Sequence, residues 1–334
     1  MSEHESPVVS VVVPFYDVEE CVDDCMRSLL CQDFDRYEVL CVDDGSRDRT
    51  SELLDGYAAT DPRVRVIRTD NRGLSEARNA GVRAARAPLV SFVDGDDVVS
   101  PHYLRLLYVA HDGAPGRMVV GRTRGVSRDE VESVEWQSTT QGRLVLSRND
   151  AIRRYLRWDL GFVAWGRLAS RDLYLRAPFE PGVLYEDSYA FPSHLSALDE
   201  VVLLDVELYG YIPRKGSLSN PRVLTNPHLE GKLRTIEHFC AVALTWPPEL
   251  RRLSVWRLDR HLLRLAEFSS RLADRRRAKP YGDLARSALA RDLPWLLRTR
   301  REERLSWQLP AASVIAVVSP HLLCTIDRIR RRHA

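Results

Sequence analysis

The residues of this 334-residue chain with the clearest chemical potential are 90–97, where an apolar run ends in three carboxylates. Val90 to Val93 carry no charge and are rich in β-branched and aromatic side chains, which is typical of a short buried strand. If the extended backbone continues past Val93, Asp94 and Asp96 point to the same side, because strand side chains alternate with period two. Two carboxylates placed so close raise each other's pKa unless a cation lies nearby.

This acid pair has two interpretations. A hard divalent ion, Mg²⁺ or Mn²⁺, is the natural occupant, because such ions are usually held by one or two carboxylates together with substrate phosphates. The alternative is a solvated acidic turn or a helix cap before Pro101. The acids alone leave both interpretations open, so the elements around them must decide.

Those elements alternate between strands and helices. The sequence predicts strands at Val8–Val13, Tyr37–Val42, Val64–Ile67 and Val90–Val93, separated by helices at Glu19–Gln32, from Asp48 or Thr50 to about Ala59, and around Arg78 and Asn79. This order predicts an α/β fold with a doubly wound, mainly parallel sheet. Ligands of such sheets bind outside the carboxyl ends of the strands, where Asp44, Asp94 and Asp96 are all expected.

Beyond residue 111 the alternation is less regular. We predict strands at Met118–Val120, Val201–Leu204 and Glu207–Ile212, a helix capped by Ser147 that reaches about Trp158, and a helix from the acids at 186–187 to about Ala197. After Pro221 the pattern is helical only, with leucines and tryptophans among many arginines. The chain therefore divides into an α/β part and a C-terminal helical region.

Charge is distributed unevenly along the chain. The net charge is +2, but residues 1–250 carry −10 and residues 251–334 carry +12. A basic C-terminal part suits contact with an anionic membrane surface. Nucleic-acid binding is less favoured, because the arginines lack the interleaved aromatic residues or reading motif of such surfaces. None of the six cysteines has the CxxC spacing of a zinc site, and we interpret them as reduced thiols of a cytoplasmic protein.

The segment from Trp307 to Ile326 has no formal charge and is flanked by arginines on both sides. Its twenty residues match the length that spans a bilayer, but two prolines and His321 interrupt it. We favour a pair of short helices that either packs on the core or lies at the membrane interface, with a spanning helix as the remaining alternative. The tail could equally form a homo-oligomer interface. The N-terminal apolar run is too short for a signal peptide.

Four ordered blocks resemble a known family. They are Ser10–Tyr16 (SVVVPFY), Val42–Thr50 (VDDGSRDRT), Asn71–Gly81 (NRGLSEARNAG) and Phe92–Asp97 (FVDGDD). Together they resemble the inverting glycosyltransferase family 2 of bacterial cell-envelope polysaccharide synthesis, whose catalytic domain has the GT-A fold. The resemblance continues to residue 220 and does not include the helical tail. It implies a catalytic domain at 1–220, with nucleotide-sugar binding at about 8–110 and the acceptor and base part at about 111–220, followed by a helical region at 221–334.

The resemblance also implies roles for individual residues. Pro14, Tyr16 and Asp44 lie where the family holds the nucleotide base and ribose, and Arg78 where an arginine approaches the nucleotide or its diphosphate. Asp94 and Asp96 match the DxD pair, with Asp96 as metal ligand and Asp94 on metal or ribose. Asp97 supports the nucleotide site from behind this pair. Asp17 departs from the family, in which asparagine is common at this position.

For the transfer step the family places a carboxylate as base. Asp187 matches that position and Glu186 lies beside it; the alternative is that both acids only favour a helix N-terminus. Arg214, Lys215 and Ser217 resemble a late loop that closes on the diphosphate, although a solvated basic turn is the other interpretation. Trp165 is either a core residue or part of an acceptor wall.

The expected function is that of a metal-dependent inverting glycosyltransferase that uses Mn²⁺ or Mg²⁺. We expect a nucleotide-sugar donor, of the UDP-sugar type, and a hydroxyl acceptor on a polysaccharide or lipid-linked glycan. We expect a cytoplasmic protein, and peripheral contact with the inner face of the plasma membrane is one option for it. Two alternatives remain: a non-catalytic nucleotide-sugar or glycan-binding module, and a sugar-phosphate nucleotidyltransferase. The latter would need a glycine-rich loop after the first strand, and residues 14–17 contain no glycine.

Overall fold

A computed structural model describes residues 6–214, 225–271, 276 and 278–290. The chain forms two compact units that are interleaved in sequence. The first unit comprises Met1–Ala151, Phe162–Gly182 and Ser193–Lys215, and the second comprises Ile152–Gly161, Val183–Pro192 and Gly216–Ala334. The division at residue 220 into a catalytic and a helical domain stays a prediction.

The described residues contain one nine-stranded sheet. Its strands are β1 (Val9–Phe15), β2 (Tyr37–Asp43), β3 (Val64–Arg68), β4 (Leu89–Phe92), β5 (Val98–Val99), β6 (Arg117–Gly125), β7 (Arg143–Ser147), β8 (Arg167–Ser170) and β9 (Glu200–Tyr211). The strand order is β3-β2-β1-β4-β8-β6-β9-β5, and β7 pairs with β9. The first four strands in this order are mutually parallel, whereas β8 runs antiparallel to both of its neighbours.

Helices lie between these strands and after the last of them. They are α1 (Glu19–Leu30), α2 (Thr50–Thr60), α3 (Leu74–Ala84), α4 (Tyr103–His111), α5 (Arg148–Leu156), α6 (Arg171–Arg176), α7 (Glu186–Ala197), α8 (Asn226–Ala243) and α9 (Pro248–Arg271). Residues 278–290 are also helical. Every residue of β1 and β2 is buried, as expected for parallel strands that are covered on both faces. The mainly parallel α/β architecture predicted from the sequence is therefore confirmed.

Three details differ from the sequence-based predictions. Strand β1 continues through Phe15, because Pro14 and Phe15 pair in register with Val42 and Asp43 of β2. The two strands predicted at 201–212 form the single strand β9, which stays paired with β6 on both sides of a bulge near residue 121. Strands β5 and β7 were not predicted, since β5 has only two residues and most side chains of β7 are exposed.

The second unit has its own apolar core, formed largely by α8, α9 and residues 278–290. Helix α8 begins with a capping box in which the side chains of Thr225 and His228 each accept a hydrogen bond from the other residue's backbone N–H. In the described part of the chain, no helix combines the length and apolar character needed to cross a membrane. The predicted apolar segment Trp307–Ile326 lies outside the described residues.

Candidate active site

The three acids that follow β4 lie on a tight turn. The backbone N–H of Asp97 donates a hydrogen bond of 3.0 Å to the carbonyl of Asp94, so the chain turns where the sequence argument expected it to stay extended. The three carboxylates of Asp94, Asp96 and Asp97 nevertheless converge, with one oxygen from each lying within 4.8 Å of the others. The period-two reason for their convergence is wrong, and the turn supplies the actual one.

Gly95 makes this turn possible. A Cβ atom at this position would lie 2.5 Å from the Phe15 ring and 2.8 Å from the carbonyl oxygen of Pro14. The turn therefore packs directly on the carboxyl end of β1, and any larger residue would force the two apart. This packing places the acids at the edge of the sheet where ligands of α/β proteins bind.

Two arginines neutralise part of this charge. The Nη2 atom of Arg78 lies 2.8 Å from Oδ1 of Asp94, and that of Arg214 lies 3.1 Å from Oδ2 of Asp96. Arg78 is almost fully buried and its guanidinium carbon lies 5.4 Å from the centre of the Phe179 ring. Arg214 is exposed, as expected for a residue that meets a ligand from solvent.

Asp97 is held from both sides by protein donors. Its Oδ1 accepts from the backbone N–H of Ile212 at 2.8 Å, and its Oδ2 accepts from the Tyr209 hydroxyl at 2.7 Å. Burial and the neighbouring charge of Asp94 raise the pKa of Asp97 to about 8. Burial, and then Asp94, also raise the pKa of Asp96, although Arg214 acts in the opposite direction.

The donor set fits a hard divalent cation. Clustered carboxylate oxygens are the ligands that Mg²⁺ and Mn²⁺ prefer. A cation would stabilise the ionised forms of Asp96 and Asp97, which burial and the charge of Asp94 disfavour. Asp94 and Asp96 are the residues that would hold the ion. Asp97 is the weaker candidate ligand, because both of its oxygens already accept hydrogen bonds from the protein.

Asp44 lies at the carboxyl end of β2 and is buried. Its Oδ1 accepts hydrogen bonds from the Thr69 hydroxyl and the Arg72 backbone N–H, and its Oδ2 accepts from the Gly73 N–H at 2.7 Å. These bonds fix the turn from which α3 starts, and α3 carries Arg78. Asp44 thus organises this edge of the site, and its contact with a nucleotide stays a prediction.

The loops after β1 and β2 are tied to each other. Asp17 has a left-handed backbone, with a φ of 48°, and its Oδ1 accepts the Arg47 N–H at 2.7 Å. Aspartate tolerates this conformation nearly as well as asparagine, so the departure from the family keeps the shape of the loop. In the same region Pro14 is buried within β1, and Tyr16 is exposed just beyond the end of that strand.

Sequence reasoning missed Tyr209. Its ring stacks on Trp165 with centroids 4.2 Å apart, and its hydroxyl reaches the acidic turn. Tyr211 lies two residues further along the same strand, and its ring is nearly parallel to that of Trp165. Two residues apart on a strand, these tyrosines are expected on the same face of β9. Their closeness to the acids depends on the pairing of β9 with β5, which directly follows Asp97.

Glu186 and Asp187 belong to the second unit, where they form the first turn of α7. Glu186 is buried and Asp187 is partly exposed. The pKa of the nearby Lys232 is lowered to about 8 by burial and by the charges of Arg264 and Arg257. The carboxylate of Asp187 acts in the opposite direction. The predicted helix start is confirmed, and the role of Asp187 as base stays a prediction. Lys215 and Ser217 lie outside the described residues.

Comparison with known proteins identifies the family. The model for Glycosyl transferase family 2 matches residues 10–174. EpsJ of Bacillus subtilis, an uncharacterized glycosyltransferase, is 34% identical over 64% of this chain and 63% of its own length. The succinoglycan biosynthesis protein ExoO of Rhizobium meliloti is 30% identical over 70% of this chain and 68% of its own. The match spans somewhat less than two thirds of the length of EpsJ.

Solved structures agree on the fold. S. aureus TarS 1-349 has a TM-score of 0.63 at 18% identity, covering 98% of this chain and 92% of that one. The mannosyltransferase PcManGT from Pyrobaculum calidifontis, solved with GDP-Man and Mn²⁺, has a TM-score of 0.51 at 17% identity and covers 94% and 87%. TarS has also been solved with UDP-GlcNAc, at a TM-score of 0.59 and 16% identity, covering 90% and 93%. Because the family model matches residues 10–174 and the relatives EpsJ and ExoO are 34% and 30% identical, this chain belongs to glycosyltransferase family 2.

Proposed function

We propose that this chain is a metal-dependent inverting glycosyltransferase that uses a nucleotide-diphosphate sugar. The observation that carries the proposal is the turn after β4, where three carboxylates converge between the side chains of Arg78 and Arg214. Such a mixture of acids and arginines suits a diphosphate that arrives with a divalent cation, because the cation binds the acids and the arginines bind phosphate oxygens.

The donor is proposed to be a UDP-sugar. TarS, which shares the fold, has been solved with UDP-GlcNAc, although PcManGT has been solved with GDP-Man. Within this chain the exposed ring of Tyr16 at the end of β1 is available to stack on a base. Pro14, Asp44 and Ser217 complete the proposed nucleotide site, and Asp97 supports it through the acidic turn.

The chain's own residues stabilise the leaving group in the proposed mechanism. A divalent ion held by Asp94 and Asp96 would neutralise negative charge on the departing nucleotide diphosphate. Arg78 is preorganised for the same task, since burial and its bond to Asp94 fix its guanidinium group. Arg214 sits on the exposed side and can exchange its bond to Asp96 for a phosphate oxygen.

Inverting transfer also needs a base that takes the proton from the acceptor hydroxyl. We assign this role to Asp187, with Glu186 beside it, on the basis of the match to the family motif. Asp187 is partly exposed, as a base must be to meet an acceptor. The relative ExoO is named for succinoglycan biosynthesis, which supports a polysaccharide or lipid-linked glycan as acceptor.

A panel of nucleotide sugars with Mn²⁺ tests this proposal. Without acceptor, we expect slow hydrolysis of one donor, seen as release of free sugar and nucleoside diphosphate by chromatography. Chelation of the metal should abolish it. Binding of a nucleotide sugar with no turnover under any condition, acceptor extracts included, would favour the non-catalytic binding module.

Asp187→Asn separates binding from chemistry once a donor is found. We expect transfer to an acceptor to fall by about 10³-fold, in the range reported for loss of general base catalysis, with UDP affinity unchanged. Asp172→Asn is the matched control, since Asp172 is an exposed acid in the first turn of α6. Full transfer activity in the Asp187→Asn variant would contradict the assignment of the base.

Contact with an anionic membrane is a separate proposal, supported by the charge of +12 beyond residue 250. Flotation of the full chain with vesicles that contain anionic lipid should carry the protein upward at low salt and release it at high salt. Equal recovery with neutral vesicles would contradict it. Size-exclusion chromatography of the same preparation would test for the homo-oligomer.

A further inference from the structure

One tyrosine hydroxyl touches both ends of the acidic turn. The Oη atom of Tyr209 accepts a hydrogen bond of 3.1 Å from the backbone N–H of Asp94 and donates one of 2.7 Å to Oδ2 of Asp97. The backbone N–H of Asp97 also bonds the Asp94 carbonyl across this four-residue turn. The hydroxyl therefore adds a second connection between the two ends of the turn.

The ring that carries this hydroxyl is itself fixed. Tyr209 is fully buried and its ring stacks on Trp165 with an interplanar angle of 14°. Its strand is paired with β5, which follows the acidic turn directly, through Val99 opposite Tyr209. Each of these contacts limits the freedom of the hydroxyl, so it is held in place before any ligand arrives.

The direction of the two hydrogen bonds separates the roles of the acids. The hydroxyl proton points to Asp97, whose other oxygen accepts the Ile212 N–H. Both oxygens of Asp97 therefore accept hydrogen bonds from the protein, and its role is structural. The ion pairs of Asp94 and Asp96 with arginine each involve one carboxylate oxygen. Groups that orient metal ligands in this way usually change metal affinity by about 10- to 100-fold when they are removed.

We infer that Tyr209 is a positioning residue for the cation site, which it serves by clamping the turn from Asp94 to Asp97, with Trp165 holding its ring. This inference rests on the proposed function and deepens it, because it names a residue outside the family's sequence blocks. Tyr209 touches neither substrate nor cation in this role. It acts by keeping the carboxylates of Asp94 and Asp96 directed to a common point.

The test is direct titration of the full chain with Mn²⁺ in the presence of UDP, following free Mn²⁺ by electron paramagnetic resonance. Tyr209→Phe keeps the ring and its stacking but removes the hydroxyl. We expect its Kd for Mn²⁺ to rise by about 10- to 100-fold. A merely structural role for Tyr209 would lower the Tm and leave this Kd unchanged.

Tyr103→Phe is the matched control. Tyr103 is also fully buried in the first unit, and its hydroxyl bonds Ser91 at 2.6 Å without touching the acidic turn. This variant should lose a similar amount of thermal stability and keep the wild-type Kd for Mn²⁺. An equal weakening of Mn²⁺ binding in both variants would overturn the inference, since general loosening would then explain it.

The remaining outcomes are also decisive. Wild-type Mn²⁺ affinity in Tyr209→Phe would overturn the inference and leave the metal-dependent transferase intact. Absence of Mn²⁺ binding by the wild-type chain would overturn the inference together with the metal dependence. If Tyr209→Phe is poorly folded, the Asp97→Asn variant is the second test, because it replaces one of the two oxygens that accept from Tyr209 and Ile212 by an amide donor. We expect its Mn²⁺ affinity to fall as well. Unchanged affinity in Asp97→Asn would count against the clamp.

Discussion

The acidic turn of the first unit and the buried Arg257 of the second unit accommodate buried charge in different ways. In the first unit, carboxylates crowd on one turn and burial raises the pKa values of Asp96 and Asp97. In the second unit, the guanidinium carbon of Arg257 lies 3.5 Å from the centre of the Tyr155 ring and 3.9 Å from that of Trp158. The acids are like charges gathered together, whereas the buried cation is surrounded by aromatic faces.

The acidic turn is thus suited to bind a ligand, whereas the site around Arg257 is suited to stabilise the fold. Like charges that crowd on a turn oppose folding, and a protein keeps them where a ligand of opposite charge repays the cost. A cation between aromatic rings is already stabilised by the protein itself, because the ring faces are negative. Removing a charge should therefore have opposite effects on stability at the acidic turn and at Arg257.

The largest expected effect is on activity, from Asp96→Asn. We expect kcat to fall by about 10³-fold, since the variant weakens the cation's hold on the leaving diphosphate. Because the pKa of Asp96 is raised by burial and by Asp94, its ionised form is disfavoured in the folded chain. Without metal the variant should therefore match or exceed the wild-type Tm, as measured by calorimetry at pH 7.

Asp55→Asn is the control for this change. Asp55 is exposed and pairs with Arg68, so its loss should alter both activity and Tm very little. A clear drop in the Tm of Asp96→Asn without metal would break the comparison between the units, because Asp96 would then stabilise the fold.

The second effect is a loss of stability in Arg257→Met, which keeps the length of the side chain but removes its charge. The wild-type guanidinium is fully buried, faces two rings and donates a hydrogen bond to the carbonyl of Tyr155. We expect the free energy of unfolding to fall by about 3 kcal/mol, measured in urea, from the lost ring and carbonyl interactions.

Arg260→Met serves as the matched variant. Arg260 lies on the same helix with its guanidinium carbon 5.0 Å from the centre of the Trp158 ring, and it is exposed. Its loss should cost less than about 1 kcal/mol, as for other exposed charges. A gain of stability in Arg257→Met would show that the rings do not offset the desolvation of the guanidinium.

The smallest effect concerns Lys232, the buried cation of α8. Burial and the charges of Arg264 and Arg257 lower its pKa from 10.5 to about 8, while Asp187 opposes this shift. Between pH 8 and 10.5 the unfolded chain binds a proton that the folded chain does not, so stability rises with pH through this window. Below the window the penalty is constant, and above it the amine is neutral in both states.

Lys232→Met should remove that pH dependence. The pKa difference corresponds to about 3 kcal/mol, which is the penalty for burying the charged amine. We therefore expect the variant to be about 3 kcal/mol more stable than the wild type at pH 7. The advantage should vanish above pH 10.5. Parallel stability curves from pH 7 to 11 would contradict the assigned pKa.

Sequence reasoning recovered the first half of the fold well. The strands β1 to β4 are short and rich in β-branched and aromatic residues, and polar loop residues separate them from the helices, so local pattern sufficed. It recovered less after residue 111, where β5 has two residues and β7 is mostly exposed, and neither has the pattern of a strand. The two strands predicted at 201–212 are one strand, β9, because the pairing with β6 continues along it.

The acids of the site were found from residue type and spacing, but the reason given for their convergence was wrong. An extended strand and a tight turn can both bring Asp94 and Asp96 together, and the sequence does not distinguish them. The turn depends on Gly95 meeting Phe15, a contact between the turn after β4 and the end of β1, and it forms because β1 and β4 pair in the sheet. Tyr209 could not be linked to Asp97 at all, since 112 residues separate them.

The sequence by itself determined the elements of the first half of the sheet and which residues can bind a cation or a diphosphate, because periodicity and side-chain chemistry are local properties. Tertiary structure alone decided which partner each charged group received. In the folded chain Asp94 forms an ion pair with Arg78, and Asp97 accepts a hydrogen bond from Tyr209. Arg257 packs against two aromatic rings. The physical reason is that the stability of a buried charge depends on the groups placed around it, and strand pairing and helix packing choose those groups.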